Sequence, residues 1–228
     1  MALFRLWDLP TRAFHWALVL CVAGSFASVK IGGNAMVWHG RCGLAVLGLL
    51  AFRLAWGVHG STYARFARFV RGPAAIRAYL RGEWRGAGHS PLGALSVLAM
   101  LATLLFLAGT GLFAHDDIAF EGPLRALVGK ALSDRLSGVH RLIEPWLILL
   151  VVAHVGAIAY YTRVRGETLL MPMITGTREG TAEDARGGGV LAFLIALALA
   201  LLAVYLASGA WLPETPAAPP AQGSAPAF

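Results

Sequence analysis

Residues 138–161, GVHRLIEPWLILLVVAHVGAIAYY, form a stretch apolar enough to cross a membrane, and it carries two histidines, His140 and His154. The two lie 14 residues apart, which is just under four helical turns, so both imidazoles leave one face of one helix. At a rise of about 1.5 Å per residue they are about 21 Å apart along the axis, roughly two thirds of a hydrocarbon core. One helix would thus present a nitrogen ligand near each side of the bilayer.

The composition predicts an all-α integral membrane protein. Of the 228 residues, 57% are hydrophobic and 14% are charged, whereas soluble domains carry about 25% charged residues. The net charge of +7 comes mostly from arginines beside apolar runs, which indicates a membrane surface and argues against nucleic acid as a partner. The two cysteines, Cys21 and Cys42, form no CxxCH motif, so covalently attached c-type haem is excluded.

Five transmembrane helices are predicted, the first four of which form a bundle within residues 1–165. The first is interpreted as a retained span and not a cleaved signal peptide, because its apolar run includes His15 and Trp16 and no soluble domain follows. Residues 166–189 are predicted to be a polar cytoplasmic segment, and the Pro/Ala-rich tail, 213–228, to be disordered. The predicted spans are 13–29, 37–57, 91–114, 138–161 and 190–212.

The segments between the spans are rich in charge. Residues 58–90 are expected to form a loop with an amphipathic piece, YARFARFVRGPAAIRAYLRG at 63–82. Its arginines alternate with aromatic residues, a pattern typical of a surface helix lying on anionic lipid. Residues 115–137 are expected to form a mixed-charge loop. Within the second span, Arg41 and Arg53 bracket an uncharged stretch too short to cross a membrane, so each is expected to snorkel to the surface or to pair with a buried anion.

The distribution of lysine and arginine predicts the orientation. The N-terminal segment, residues 58–90 and residues 162–189 share one side and hold 12 such residues, against 4 in the loops on the other side. The positive-inside rule then places the N-terminus in the cytoplasm. With five spans, the C-terminus is expected outside.

With this orientation, four histidines fall at two matched depths, His39 with His140 near the outer side and His15 with His154 near the inner side. Two axial imidazoles are what a six-coordinate haem iron requires in addition to its four porphyrin nitrogens. Imidazole also suits zinc, copper and nickel, but such an ion would need further ligands, and only Cys42 lies at a suitable depth. The pattern therefore favours two non-covalent haem b groups. Their propionates could meet Arg12, Arg41 and Arg141 at the membrane edges.

The remaining histidines are interpreted as interfacial polar residues, since each lies at the end of a span. They are His59, His89 and His115. A role in proton or quinone chemistry is the minority interpretation for each of them.

Several segments in order resemble the bacterial cytochrome b561 family and the related b-type cytochrome subunit of nickel–iron hydrogenases. The resemblance runs from Trp7 to Gly176. It rests on these segments, among others: WDLPTRAFHW at 7–16, VWHGRCG at 37–43, TGLFAHDDI at 110–118, GVHR at 138–141, HVGAIAYY at 154–161 and LLMPMITG at 169–176.

This resemblance implies a diheme protein of the bacterial inner membrane that passes electrons between the quinone pool and a redox partner. It implies His15, His39, His140 and His154 as the haem ligands. The partner would be a cytochrome c or a dehydrogenase or hydrogenase subunit, in the periplasm or the membrane. Quinone oxidoreductase activity and oligomerisation stay open. A quinone site is expected beside the inner haem, near residues 12–15 and 53–59.

Two other classes of function remain as alternatives. A metal or solute transporter with intramembrane histidines would show no visible absorption. A passive membrane anchor for a larger complex would tolerate the loss of all four paired histidines. The fifth span and the tail have no counterpart in a four-helix core, so the identity of the partner stays open.

Overall fold

A computed structural model of the chain describes residues 2–118 and 120–213, and the predicted disordered tail lies outside it from residue 214 onward. The described residues form an all-α membrane bundle with five helices long and apolar enough to span a bilayer. The helices are α1 Leu9–Ile31, α2 Met36–His59, α3 Phe66–Phe69, α4 Pro73–Leu80, α5 Pro91–Gly111, α6 Lys130–Arg163, α7 Leu170–Thr175 and α8 Val190–Ala207. Short 3-10 turns lie at Gly33–Ala35 and Arg125–Leu127.

The first helix begins before its predicted apolar run. Asp8 caps α1 by accepting a hydrogen bond from the Thr11 amide at 2.7 Å, and Pro10 stands in the first turn, where a missing amide hydrogen costs nothing. Because these start signals are polar, they extend the helix beyond the part that hydropathy marks.

The fourth spanning helix, α6, also begins well before its predicted start. It starts at Lys130, so the expectation of a loop over 115–137 is wrong for its last residues. The polar first turns of α6 pack on the segment after α5. There the Ser133 hydroxyl donates to the Phe113 carbonyl at 2.6 Å, and the Ser137 hydroxyl accepts from the His115 amide at 2.9 Å. Tertiary hydrogen bonds thus stabilise a helical extension that is not apolar.

The arginine-rich segment 58–90 does not form one surface helix. It contains two short helices, α3 and α4. The break falls at Gly72 and Pro73, because the residue before a proline is driven away from helical geometry. The prediction of a single amphipathic helix there is therefore wrong.

A two-stranded antiparallel sheet joins the N-terminal segment before α1 to the segment after α7. Strand β1, Ala2–Arg5, pairs with β2, Thr177–Gly180, with Ala2 opposite Gly180 and Arg5 opposite Thr177. The sequence patterns did not predict this sheet, since four-residue strands are too short to show a clear alternation. It seats Leu6 and Trp7 in a small buried cluster beneath the bundle.

Helix α2 lies at the centre of the bundle and packs against α1, α5 and α8, while α6 packs along α5. The fifth span, α8, approaches α2 closely at Gly48, where a Cβ atom would lie 2.6 Å from the Val204 Cγ2 atom. Any larger residue at Gly48 would force the two helices apart. In the described part of the chain, α6 hardly approaches the backbones of α1 and α2, and the paired histidines face each other across that gap.

Candidate functional site

His39 and His140 meet at one end of the bundle, which we call the His39 end. It is the end at which α2 begins. The two ring centroids are 6.1 Å apart, and the ring planes are at 77° to each other. Phe120 approaches the His39 ring edge-on at 6.1 Å. The structure thus brings together two histidines that are remote in sequence and that sequence depth alone had matched.

Both rings at the His39 end are oriented by hydrogen bonds through Nδ1. The Nδ1 of His39 lies 3.2 Å from the Ser25 carbonyl oxygen. The Nδ1 of His140 lies 3.0 Å from the Leu107 carbonyl oxygen and 3.2 Å from the Thr110 hydroxyl. A backbone carbonyl accepts only, so each Nδ1 carries the proton and each Nε2 keeps a free lone pair. Imidazoles that bind metals are commonly held in this way, with one ring nitrogen donating to a carbonyl and the other left to bind the metal.

His15 and His154 lie at the other end of the bundle, the His15 end, where α1 begins and α6 finishes. Their rings are close enough to interact electrostatically. Trp16 packs edge-on against His15 at 5.0 Å between ring centroids. The Trp16 indole donates to the Met173 carbonyl at 3.1 Å, so α7 holds this part of α1 in place.

A comparison with protein families bears on this arrangement. The model of prokaryotic cytochrome b561 matches residues 6–176, which include all four paired histidines. The chain belongs to the prokaryotic cytochrome b561 family. Searches of curated proteins and of solved structures found no match. As a cytochrome b561, the chain is a b-type, haem-binding cytochrome of the inner membrane that carries electrons across it.

The His39 end of this cytochrome b561 fits a haem group. Two imidazoles that bind one iron would place their coordinating nitrogens about 4 Å apart, given bonds near 2 Å. Each ring centroid lies farther from the iron than its nitrogen, so the two centroids would be about 6 Å apart. The observed spacing of 6.1 Å agrees with that value. At Gly111, a Cβ atom would lie 3.2 Å from the His140 Cε1 atom, so only glycine leaves the ring its full space.

The His15 end contains buried polar atoms that lack hydrogen-bond partners within the described residues. They include His15 Nδ1, His89 Nδ1 and Arg53 Nη1. Buried polar groups are nearly always satisfied in native proteins. Such a group of unsatisfied atoms beside a histidine pair fits a site that takes a further polar ligand.

The three arginines predicted to meet propionates have different surroundings. Arg12 is half-buried, donates through Nη1 to the Ile174 carbonyl, and lies beside Gly176. Arg41 is exposed, with its guanidinium 4.9 Å from the centroid of the Trp38 ring. Arg141 is also exposed. Of the three, only Arg12 is held inside the fold.

Arg53 and His89 are two site residues that the sequence did not bring together. Arg53 is 3% exposed, and its guanidinium lies 4.7 Å from the centroid of Phe66 and 5.8 Å from that of Phe69. The His89 ring packs between Phe69, at 4.6 Å, and Trp7, at 4.8 Å. His89 therefore packs against other segments of the chain at the end of its span.

The surroundings of His89 keep its ring neutral. Burial, followed by the positive charge of Arg53, lowers the pKa of His89 to about 3. His154 and His15 act in the same direction. No sequence motif marks this position, since His89 precedes a span and reaches the site only because the loop before α5 folds under the bundle.

The other two unpaired histidines differ from each other. His59 is exposed at the end of α2. His115 is 9% exposed and is held by Asp117 at 3.1 Å and by Asp134 at 2.6 Å. Those three side chains could in principle bind a metal ion. However, Lys130 contacts both carboxylates, at 3.2 Å and 2.9 Å, so the two carboxylates are already engaged in an ion-pair network.

Proposed function

We propose that the chain is a diheme b-type cytochrome that carries electrons between the membrane quinone pool and a redox partner protein. The supporting observation is that one helix, α6, presents His140 and His154 to different partners, His39 and His15, at the two ends of the bundle. Bound haem iron supplies one-electron redox chemistry, and the protein tunes it through axial ligands, burial and hydrogen bonds.

The chain's own residues would hold, orient and enclose the two groups. His39 and His140 would bind one iron, with the Ser25 and Leu107 carbonyls setting their tautomer. His15 and His154 would bind the other. Between the two levels the bundle interior is apolar, with Phe14, Leu104 and Leu147 buried in one cluster. This interior excludes water from the path between the sites.

The same proposal places the N-terminus and the His15 end in the cytoplasm. The His39 end would then face the periplasm, where a cytochrome c or a dehydrogenase or hydrogenase subunit would exchange electrons with the outer haem. The arginine asymmetry supports this orientation.

We place the quinone head group in a cavity at the His15 end. Its volume is about 310 Å³, within the usual size of ligand pockets. Its lining includes Arg12, about one turn of α1 before His15, together with Asp8, the N-cap of α1, and Thr177 of β2. Leu9, which also lines it, is 67% exposed, so the cavity opens toward the surroundings of the bundle. The sequence placed the quinone site near residues 12–15 and 53–59. His59 is exposed and Arg53 is buried, so we prefer the cavity to a site at those two residues.

The haem content of the purified protein tests the proposed function. Four paired histidines should hold two haem b groups per polypeptide, and acid–acetone should extract both because no covalent attachment motif exists. Quantitation against protein mass gives the ratio. A ratio near one would refute the two-site proposal, and a colourless protein would favour the transporter or anchor alternatives.

The quinone cavity is tested by filling it. Thr177→Trp should slow the reduction of the haems by a quinol analogue at least tenfold, because the larger side chain occupies the cavity. The haem spectrum should be unchanged. Glu179→Trp is the matched control, since Glu179 lies on the same strand but does not line the cavity. Equal rates of reduction in both variants would exclude this cavity as the quinone site.

A further inference from the structure

Arg53 carries a positive charge into the interior of the bundle. It lies on a membrane-spanning helix and is 3% exposed. Burying a guanidinium away from water is costly unless an anion accompanies it. Among the residues that the structure describes, no carboxylate lies within ion-pair distance of Arg53. Within this described part of the chain, the cation therefore lacks a direct counter-charge.

The acid whose charge reaches Arg53 is Asp8, but its oxygens are already engaged. Oδ1 accepts from the Thr11 amide at 2.7 Å, and Oδ2 accepts from the Trp56 indole at 3.1 Å. Asp8 thus caps α1 and anchors α2. It offsets the charge of Arg53 from a distance without filling its hydrogen-bonding positions.

The aromatic residues around Arg53 do not complete its hydrogen bonds either. Phe66 and Phe69 cover the guanidinium and gain a cation–π attraction. The face of an aromatic ring has no lone pair, so it cannot replace an oxygen acceptor. The buried Nη1 atom of Arg53 therefore has no hydrogen-bond partner. These rings therefore shield the cation from solvent and leave a directed donor free.

His89 supplies a second unsatisfied polar atom beside the first. Its ring packs on the same Phe69 that flanks Arg53. Its Nδ1 atom is buried and has no hydrogen-bond partner. His89 also lies within electrostatic range of Arg53, His15 and His154. Two unsatisfied groups, one of them cationic, thus border the proposed ligand pair at the His15 end.

We propose that Arg53 and His89 form a carboxylate-binding site whose occupant is a propionate of the haem held by His15 and His154. This inference rests on the proposed function. A guanidinium binds a carboxylate through strong, charge-assisted hydrogen bonds, and a neutral imidazole can donate one more. A neutral quinone ring would leave the charge of Arg53 unbalanced, which is why we assign the site to a carboxylate.

Infrared difference spectroscopy of the whole protein tests the contact directly. Cells are supplied with an isotopically labelled haem precursor, chosen so that the label is incorporated into the propionate carboxyl carbons of haem. Reduced-minus-oxidised spectra of the purified protein are then recorded. Label-sensitive carboxylate bands should shift in Arg53→Gln and, less, in His89→Phe. They should stay in place in Arg77→Gln, the control, because Arg77 is an exposed arginine on α4 that belongs to neither site. Bands in Arg53→Gln that coincide with those of the wild type would overturn the proposal.

The reduction potential of the inner haem provides a second readout. Loss of the arginine leaves the propionate charge uncompensated, which favours the oxidised iron. In Arg53→Gln the ratio of reduced to oxidised haem at a fixed potential should fall about tenfold, equivalent to about 59 mV for one electron. Arg53→Lys keeps the charge and should retain most of the potential, even if the glutamine variant folds poorly. A role limited to packing on Phe66 would leave both potentials unchanged, and that result would overturn the assignment.

The two proposals fail in different ways. A wild-type preparation with fewer than two haems contradicts the diheme function itself. A two-haem preparation in which Arg53→Gln and Arg53→Lys change neither the labelled bands nor the inner potential contradicts the Arg53 site alone.

Discussion

Replacing either His39 or His140 by alanine should remove one and the same haem signal and leave about half of the haem in the protein. Replacing His15 or His154 should remove the other signal. A six-coordinate haem loses its geometry when one axial imidazole is missing, so one lost ligand is expected to empty its site. Optical spectra at low temperature, with haem quantitation for each variant, measure both quantities.

The double variants distinguish the pairs more sharply than the single ones. Within a pair, His39→Ala with His140→Ala should resemble either single variant, because the site is already empty. Across pairs, His39→Ala with His154→Ala should leave no haem, since the two losses concern independent sites. His59→Ala is the matched control, because this histidine is exposed and belongs to neither pair. It should keep both haems.

One outcome would contradict the assignment of the pairs. If His15→Ala and His140→Ala abolished a common signal while the other haem stayed intact, the pairing would be wrong. That outcome would also conflict with the 6.1 Å spacing of the His39 and His140 rings, because a shared iron requires both imidazoles at one level.

A reporter that is active only in the cytoplasm should be silent when fused after Phe228 and active when fused after Arg186. The two fusions differ by α8, whose 18 residues span about 27 Å, close to the thickness of the hydrocarbon core. The chain enters α8 from the His15 end, since the Thr62 amide just after α2 donates to the Arg186 carbonyl at 2.9 Å. Activity in cell suspensions gives the result.

The same fusions test the assignment of sides. A fusion after Gly32, between α1 and α2, is the control and should be silent if the His39 end faces the periplasm. Activity after both Arg186 and Phe228 would mean that α8 does not cross the membrane. The opposite pattern at all three positions would invert the proposed orientation and move the quinone cavity to the periplasmic side.

The sequence by itself determined the membrane class and the five spans, because apolar runs of this length have no other stable environment. It also selected the four paired histidines, since a helix with a regular rise turns the spacing of His140 and His154 into two depths. The structure brings the His39 and His140 rings to 6.1 Å between centroids, and it puts His15 and His154 within electrostatic range of each other. Haem ligation by these residues stays a proposal.

Only the tertiary structure decided which of the polar residues come to the sites. Of the three arginines chosen from the sequence, Arg41 and Arg141 are exposed and Arg12 is half-buried, whereas Arg53 is buried. His89 reaches the His15 end because the chain before α5 folds back beneath it, between Trp7 and Phe69. Hydropathy reports how deep a residue lies along its helix. It does not report which way the side chain turns or what a loop brings against it, and those depend on contacts between segments far apart in the chain.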